Sequence, residues 1–136
     1  MTEPYETSLH AYLSCADAPA AIAWLEALGF VTTSRVDGEG GRVVHAELCL
    51  GRAAVMVASS DAAYDVPPLR GTSTGTGVYL ASPDVDVLYD RAVRAGGRPV
   101  LPPEDTGWGA RRARVLDPEG REWSFGSHRP GRGRTR

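Results

Sequence analysis

Tyr12-Leu13-Ser14-Cys15-Ala16-Asp17 recurs as Tyr79-Leu80-Ala81-Ser82-Pro83-Asp84, a displacement of 67 residues (12 to 79). The same displacement carries Gly29 of Leu28-Gly29-Phe30 onto Gly96 of Ala95-Gly96-Gly97. Each copy predicts a short strand, a turn with an acidic helix cap, and a helix stopped by glycine. In the first helix Ala21, Leu25 and Leu28 fall on one face; in the second, Val85, Leu88, Ala92 and Ala95 repeat the stripe. Strand-like sequence follows each helix. In the first half it covers 31–36, 43–50, a Gly51-Arg52 hairpin and 53–59; in the second, 98–101, 111–116, the turn Asp117-Pro118-Glu119-Gly120 and 122–126. The chain is therefore expected to be α+β, two tandem βαβββ modules in one domain over 1–126. Module one spans 7–66, a Pro/Gly/Ser/Thr-rich linker 67–76, and module two 77–126. An Arg-rich tail, 127–136, is expected to be disordered.

A chain of 136 residues buries enough surface to fold without a metal or a disulfide. Cys15 and Cys49 form no CxxC pair and read as reduced cytoplasmic thiols. No stretch approaches the roughly 20 apolar residues of a membrane span, and no signal-peptide pattern is present. A formal charge of -2 argues against a general nucleic-acid binder. All 15 basic residues are arginine, with no Lys, Asn or Gln, as a GC-rich genome would produce, so "Arg instead of Lys" carries no functional weight. The absence of lysine removes Lys as a Schiff-base or general-base candidate. Gly71–Gly77 (GTSTGTG) lacks both the Lys-Ser/Thr pair and the following helix that a phosphate loop needs.

A duplicated βαβββ unit with these strings resembles the vicinal oxygen chelate superfamily, which includes glyoxalase I, extradiol dioxygenases, and the fosfomycin- and bleomycin-resistance proteins. The likeness is carried by Asp17–Leu25, Leu28-Gly29-Phe30, His45-Ala46-Glu47-Leu48, Gly107-Trp108-Gly109 and Asp117–Gly126 (DPEGREWSFG). It spans about residues 8 to 126 and leans toward the bleomycin-resistance branch. The resemblance implies an incomplete barrel around a ligand cavity, and a homodimer. Metal-dependent members place His or Glu on the first and last strands of each half. Here those positions fall at His10, at Gly77 or Val78, near Met56, and at Ser124. One usable ligand does not make a divalent site, so no metal and no cofactor is expected.

Strand alternation then sorts the cavity wall. His10, Tyr12 and Ser14 face inward while Leu9, Leu13 and Cys15 pack on helices. Val44, Ala46, Leu48 and Leu50 form the apolar face of their strand, and His45, Glu47 and Cys49 the cavity face. Glu122 and Ser124 point inward with Trp123 and Phe125 opposite; Arg112 and Arg114 alternate with Ala113 and Val115. Tyr79 follows Tyr12 through the repeat. Trp108, an indole between two glycines, has no packing reason for its position and reads as a stacking surface on a flexible loop. Trp24 and Trp123 read as core. His10 is open to a plainer reading as a hydrogen-bonded strand-start histidine, and His45 with Glu47 as a solvated strand face.

The expected ligand-binding set is His10, Tyr12, His45, Glu47, Met56, Tyr79, Trp108, Arg112 and Ser124. The expected function is sequestration of an aromatic or amphipathic small molecule, of the antibiotic-resistance or self-protection type. The alternatives are a cofactor-free lyase or isomerase with His10 or Glu47 as general base, and a metal-dependent glyoxalase- or dioxygenase-like enzyme.

Overall fold

The computed structural model describes residues 7–63 and 75–131. The first module runs β1 (Ala11–Cys15), α1 (Ala18–Leu28), β2 (Val31–Asp37), a 3-10 turn (Glu39–Gly41), β3 (Val43–Leu50) and β4 (Ala53–Ser59). The second runs β5 (Gly77–Ala81), α2 (Val85–Arg94), β6 (Arg98–Asp105), β7 (Arg111–Leu116) and β8 (Glu122–Gly126). Each module forms one four-stranded sheet, in the orders β1-β4-β3-β2 and β5-β8-β7-β6. In both, the first strand runs parallel to the last and the other pairings are antiparallel. The two sheets remain separate, so the barrel is open, as expected for this α+β fold. The expected linker, 67–76, lies almost wholly outside the described residues.

The repeat determines how the helices begin and end, although its two copies are not equal. The Asp17 carboxylate accepts the Ala20 N–H at 3.1 Å and caps α1. Asp84, the matching residue, makes no such bond, which corrects the expectation of two acidic caps. Ser82 Oγ accepts the Asp84 N–H at 3.0 Å instead. Gly29 leaves α1 at φ 120, and Gly96 follows α2 at φ 110, backbone that a side chain disfavours. α2 ends one residue before Ala95, so Ala95 is exposed rather than part of the buried stripe.

Both modules share one apolar core. Leu13, Cys15, Ile22, Leu25, Leu28, Leu48 and Val57 from the first are continuous with Val115, Trp123 and Phe125 from the second. Trp123 is the keystone. Trp24 and Phe30 meet its ring edge-on at 5.5 and 6.3 Å, and its indole N–H donates to Asp117 at 3.1 Å. The Trp24 N–H donates to the Ala92 carbonyl at 3.1 Å, tying α1 to α2.

A polar clasp adds to this core. The Glu119 carboxylate, on the β7–β8 turn, accepts the Ala16 and Asp17 N–H groups at 2.9 and 2.8 Å. Arg121 beside it donates to the Ser14 carbonyl and to Cys15 Sγ. The 67-residue displacement puts Pro83, which has no N–H, where Ala16 stands, so the second module offers no equivalent grip.

Three expectations about strands change. β6 continues through Pro102 and Pro103 to Asp105, because it is an edge strand whose ladder is already broken between Leu101 and Glu104. Val44 is exposed and Val43 buried, because a bulge opposite Val36/Asp37 turns the start of β3 over. Leu9 lies before β1 and is 98% exposed, not packed on a helix.

Candidate functional site

The β-ladder places the expected residues in rows. In the first sheet Tyr12 pairs with Met56, Met56 with Glu47, and Glu47 with Ser34. In the second, Tyr79 pairs with Ser124, Ser124 with Arg114, and Arg114 with Leu101. Paired residues share a sheet face, so each row is a stripe of side chains across four strands. The opposite faces supply the core, with Leu13, Ala46, Val57, Ala113, Val115, Trp123 and Phe125 buried.

Two depressions collect most of the expected set. A groove of about 660 Å³ between β1 and β5 is lined by His10, Tyr12, Tyr79 and Glu122 among others. A slot of about 190 Å³ on the second sheet is lined by Tyr79, Trp108, Arg112, Arg114, Ser124 and His128 with neighbouring residues. Tyr79 belongs to both and is the hinge between them. Its hydroxyl donates to the His128 carbonyl at 2.7 Å, and its ring lies so close over Gly126 that a Cβ there would collide with it. Partial burial raises its phenol pKa.

His45, Glu47 and Met56 line neither depression. His45 Nε2 and the Glu47 carboxylate are 2.7 Å apart, a half-exposed pair on the Tyr12 side of β3. His10 sits one residue before β1. Its Nδ1 is 3.0 Å from the Ala54 carbonyl, which can only accept, so Nδ1 carries a proton and donates it, while Nε2 is hydrogen-bonded with the Ser8 hydroxyl at 2.8 Å.

Trp108 is 65% exposed, as an indole with no core role must be. Its loop is not slack. Thr106 N–H donates to the Ala110 carbonyl at 2.8 Å, and Thr106 Oγ1 accepts the Ala110 N–H at 3.0 Å. Gly109 makes the return at φ 89. The indole meets the His128 ring edge-on at 5.8 Å. The loop expected to be flexible is thus closed by two hydrogen bonds across its turn, with the indole against His128. Thr106 and His128 were not among the residues expected from sequence. A Thr flanking a Gly-Trp-Gly turn was the available signal for the first; nothing marked the second.

On β7 the guanidiniums are anchored through Nε, Arg112 to Glu104 at 3.0 Å and Arg114 to Ser124 Oγ at 3.1 Å. Arg111 points elsewhere, clasping Asp86 of α2 at 2.6 and 3.0 Å and Asp105 at 2.9 Å. That clasp holds the Asp86 carboxyl below its ordinary range.

The residues at the four metal positions of the resemblance do not fit a divalent ion. His10 has both ring nitrogens engaged, Met56 offers a thioether, Ser124 Oγ is bonded to Arg114, and Gly77 and Val78 offer no donor. Among the described residues no three or more His, Cys, Asp or Glu side chains gather as a metal-binding group. No helix among them is long and apolar enough to cross a membrane.

A sequence profile described as the Glyoxalase/Bleomycin resistance protein/Dioxygenase superfamily matches residues 7–125. An uncharacterized protein of Mycobacterium bovis, Mb0911c, is 35% identical over 131 residues, which cover 89% of this chain and 83% of that protein. Among solved structures, TioX from Micromonospora sp. ML1 superimposes with a TM-score of 0.70 at 30% identity, covering 93% of this chain and 100% of TioX. A bleomycin-binding protein complexed with bleomycin shares the fold, with a TM-score of 0.61 at 21% identity and coverage of 91% and 100%.

Proposed function

This chain belongs to the glyoxalase/bleomycin resistance protein/dioxygenase superfamily, and from that premise we propose that it is a metal-free binder of a small aromatic or amphipathic molecule, which it holds without transforming. The observation that carries this reading is Trp108, an exposed indole on a pinned turn above the slot shared with Tyr79. A solvent-facing Trp held rigid gains on stacking without first losing conformational freedom. His10, Tyr12 and Glu122 extend the wall into the larger groove, and the row Tyr12–Met56–Glu47 continues it, with His45 beside Glu47. The bleomycin-binding protein holds its ligand in this same fold, which supports a binding role of the resistance or self-protection type. We take the protein as a two-fold homodimer, in which the edge strands β1 and β5 beside the groove are covered by the second copy.

Trp108→Ala tests the reading with 2-naphthamide as a neutral aromatic probe. Affinity is expected to fall about tenfold or more, since about 1.4 kcal/mol is a factor of ten and stacking plus buried indole area reaches that size. The melting temperature is expected to stay within about 2 °C. Unchanged affinity with lowered stability refutes it.

A second reading has one observation of its own. The Ala54 carbonyl accepts the His10 Nδ1–H, so a neutral His10 carries its lone pair on Nε2 at the rim of the groove, where a substrate would have to displace the Ser8 hydroxyl before Nε2 could act as a general base. A cofactor-free lyase or isomerase built on His10, or on Glu47, would return the ligand chemically altered.

A further inference from the structure

The slot beneath Trp108 is lined by cationic side chains in a chain whose formal charge is -2. The protein carries 17 acidic residues against 15 basic ones, yet the slot's wall holds arginines and a histidine and no Asp or Glu. Arg112 and Arg114 stand two residues apart on one strand and so face the same way, about 7 Å apart. Each is fixed through Nε alone, to Glu104 and to Ser124. Among the described residues their Nη groups have no hydrogen-bond partner; the Glu122 carboxylate stands 3.8 Å from Arg114 Nη1, outside hydrogen-bond range. Two pre-positioned forks thus present unused donors into a slot roofed by an indole. The third arginine of the strand, Arg111, is spent on Asp86 and Asp105. A cavity of about 190 Å³ admits one aromatic ring system bearing a small substituent.

We propose that the slot takes the carboxylate-bearing aromatic end of the ligand, an aryl carboxylate, with its ring against Trp108 and its oxygens on the Nη groups of Arg114 and Arg112. The assignment rests on the binding role of Trp108 and adds a sign to it. Planar guanidinium forks match carboxylate oxygens in pairs, and such charge-assisted bonds are about twice as strong as neutral ones. A cationic aromatic of the same shape meets two like charges in a wall that holds no Asp or Glu, and is disfavoured.

Three naphthalenes of one shape test it on the intact protein by fluorescence titration: 2-naphthoate, 2-naphthamide and naphthalene-2-carboxamidine. The wild type is expected to bind the acid at least tenfold more tightly than the amide, and the amidine least. In Arg114→Gln, and separately in Arg112→Gln, the acid-to-amide ratio is expected to fall severalfold toward one, with melting curves showing that both variants fold. Equal affinity of the wild type for acid and amide overturns the anion assignment while leaving aromatic capture standing. A preference for the acid that survives in both variants overturns it as well. If Trp108→Ala leaves all three affinities unchanged, the binding role itself fails, and the two failures are told apart by which probe pair moves.

Discussion

Replacing Glu119 by Ala removes the side chain that accepts the Ala16 and Asp17 N–H groups at the entry to α1, both within 2.9 Å. A hydrogen bond to a charged acceptor contributes roughly 1.5–3 kcal/mol when well shielded. Glu119 is partly exposed and has Arg121 at 3.8 Å, so about 1 kcal/mol for each bond is the appropriate scale. The carboxylate also faces the positive end of a helix, which adds about 0.5 kcal/mol. The total, about 2–3 kcal/mol, lowers the melting temperature by roughly 8–12 °C at about 4 °C per kcal/mol for a domain this size. Glu119→Gln keeps one acceptor oxygen and turns an amide toward the second N–H, so it should lose at least half as much. Calorimetry on both variants, with Glu104→Ala as a control for an exposed ion pair worth under about 1 kcal/mol, gives the comparison. If Glu119→Ala costs no more than Glu104→Ala, the clasp does not join the modules.

Trp123→Ala empties the centre of the shared core and is expected to cost about 3–5 kcal/mol, measured as a lost denaturation midpoint or failure to fold. Asp86→Asn should lower stability at neutral pH by breaking the Arg111 clasp. The Asp86 carboxyl sits below its ordinary value of 3.8 in the folded chain, so its contribution is present above about pH 4 and lost as pH falls through the folded value. Melting curves of variant and wild type should therefore converge in acid, and a deficit that persists unchanged there contradicts the assignment. Light scattering at micromolar concentration should give twice the mass of the chain, and a monomer mass would remove the covered-edge argument for β1 and β5.

The duplication made the order of elements legible, because strand, turn and helix stop recur at one displacement, and β3, β4, β7 and β8 begin and end where alternation places them. Alternation also separated Trp123 and Phe125 from Ser124, and Ala113 and Val115 from Arg112 and Arg114. It failed where the ladder is irregular: a bulge has no signature in residue type, so Val43 and Val44 exchanged faces. Prolines hid the far end of β6, since only the topology shows that strand to be an edge. Long-range polar contacts were invisible for a different reason. That Glu119 would meet Ala16 and Asp17, or that the Tyr79 hydroxyl would reach the His128 carbonyl, depends on how two modules pack, which neither propensity nor period encodes. The expected site set divides for the same cause: Tyr79, Trp108, Arg112 and Ser124 meet in one slot, His10 and Tyr12 meet Tyr79 in the groove, and His45, Glu47 and Met56 lie one to two strands away.

Native mass spectrometry of the protein purified gently from its own cells tests capture of a small aromatic molecule most directly, because the cell itself supplies the ligand and no candidate has to be chosen. The expected result is a non-covalent adduct of small-molecule mass that is released unchanged, absorbs as an aromatic, and is lost from Trp108→Ala. An adduct retained in full by Trp108→Ala, or a stoichiometric divalent metal in its place, would contradict aromatic capture.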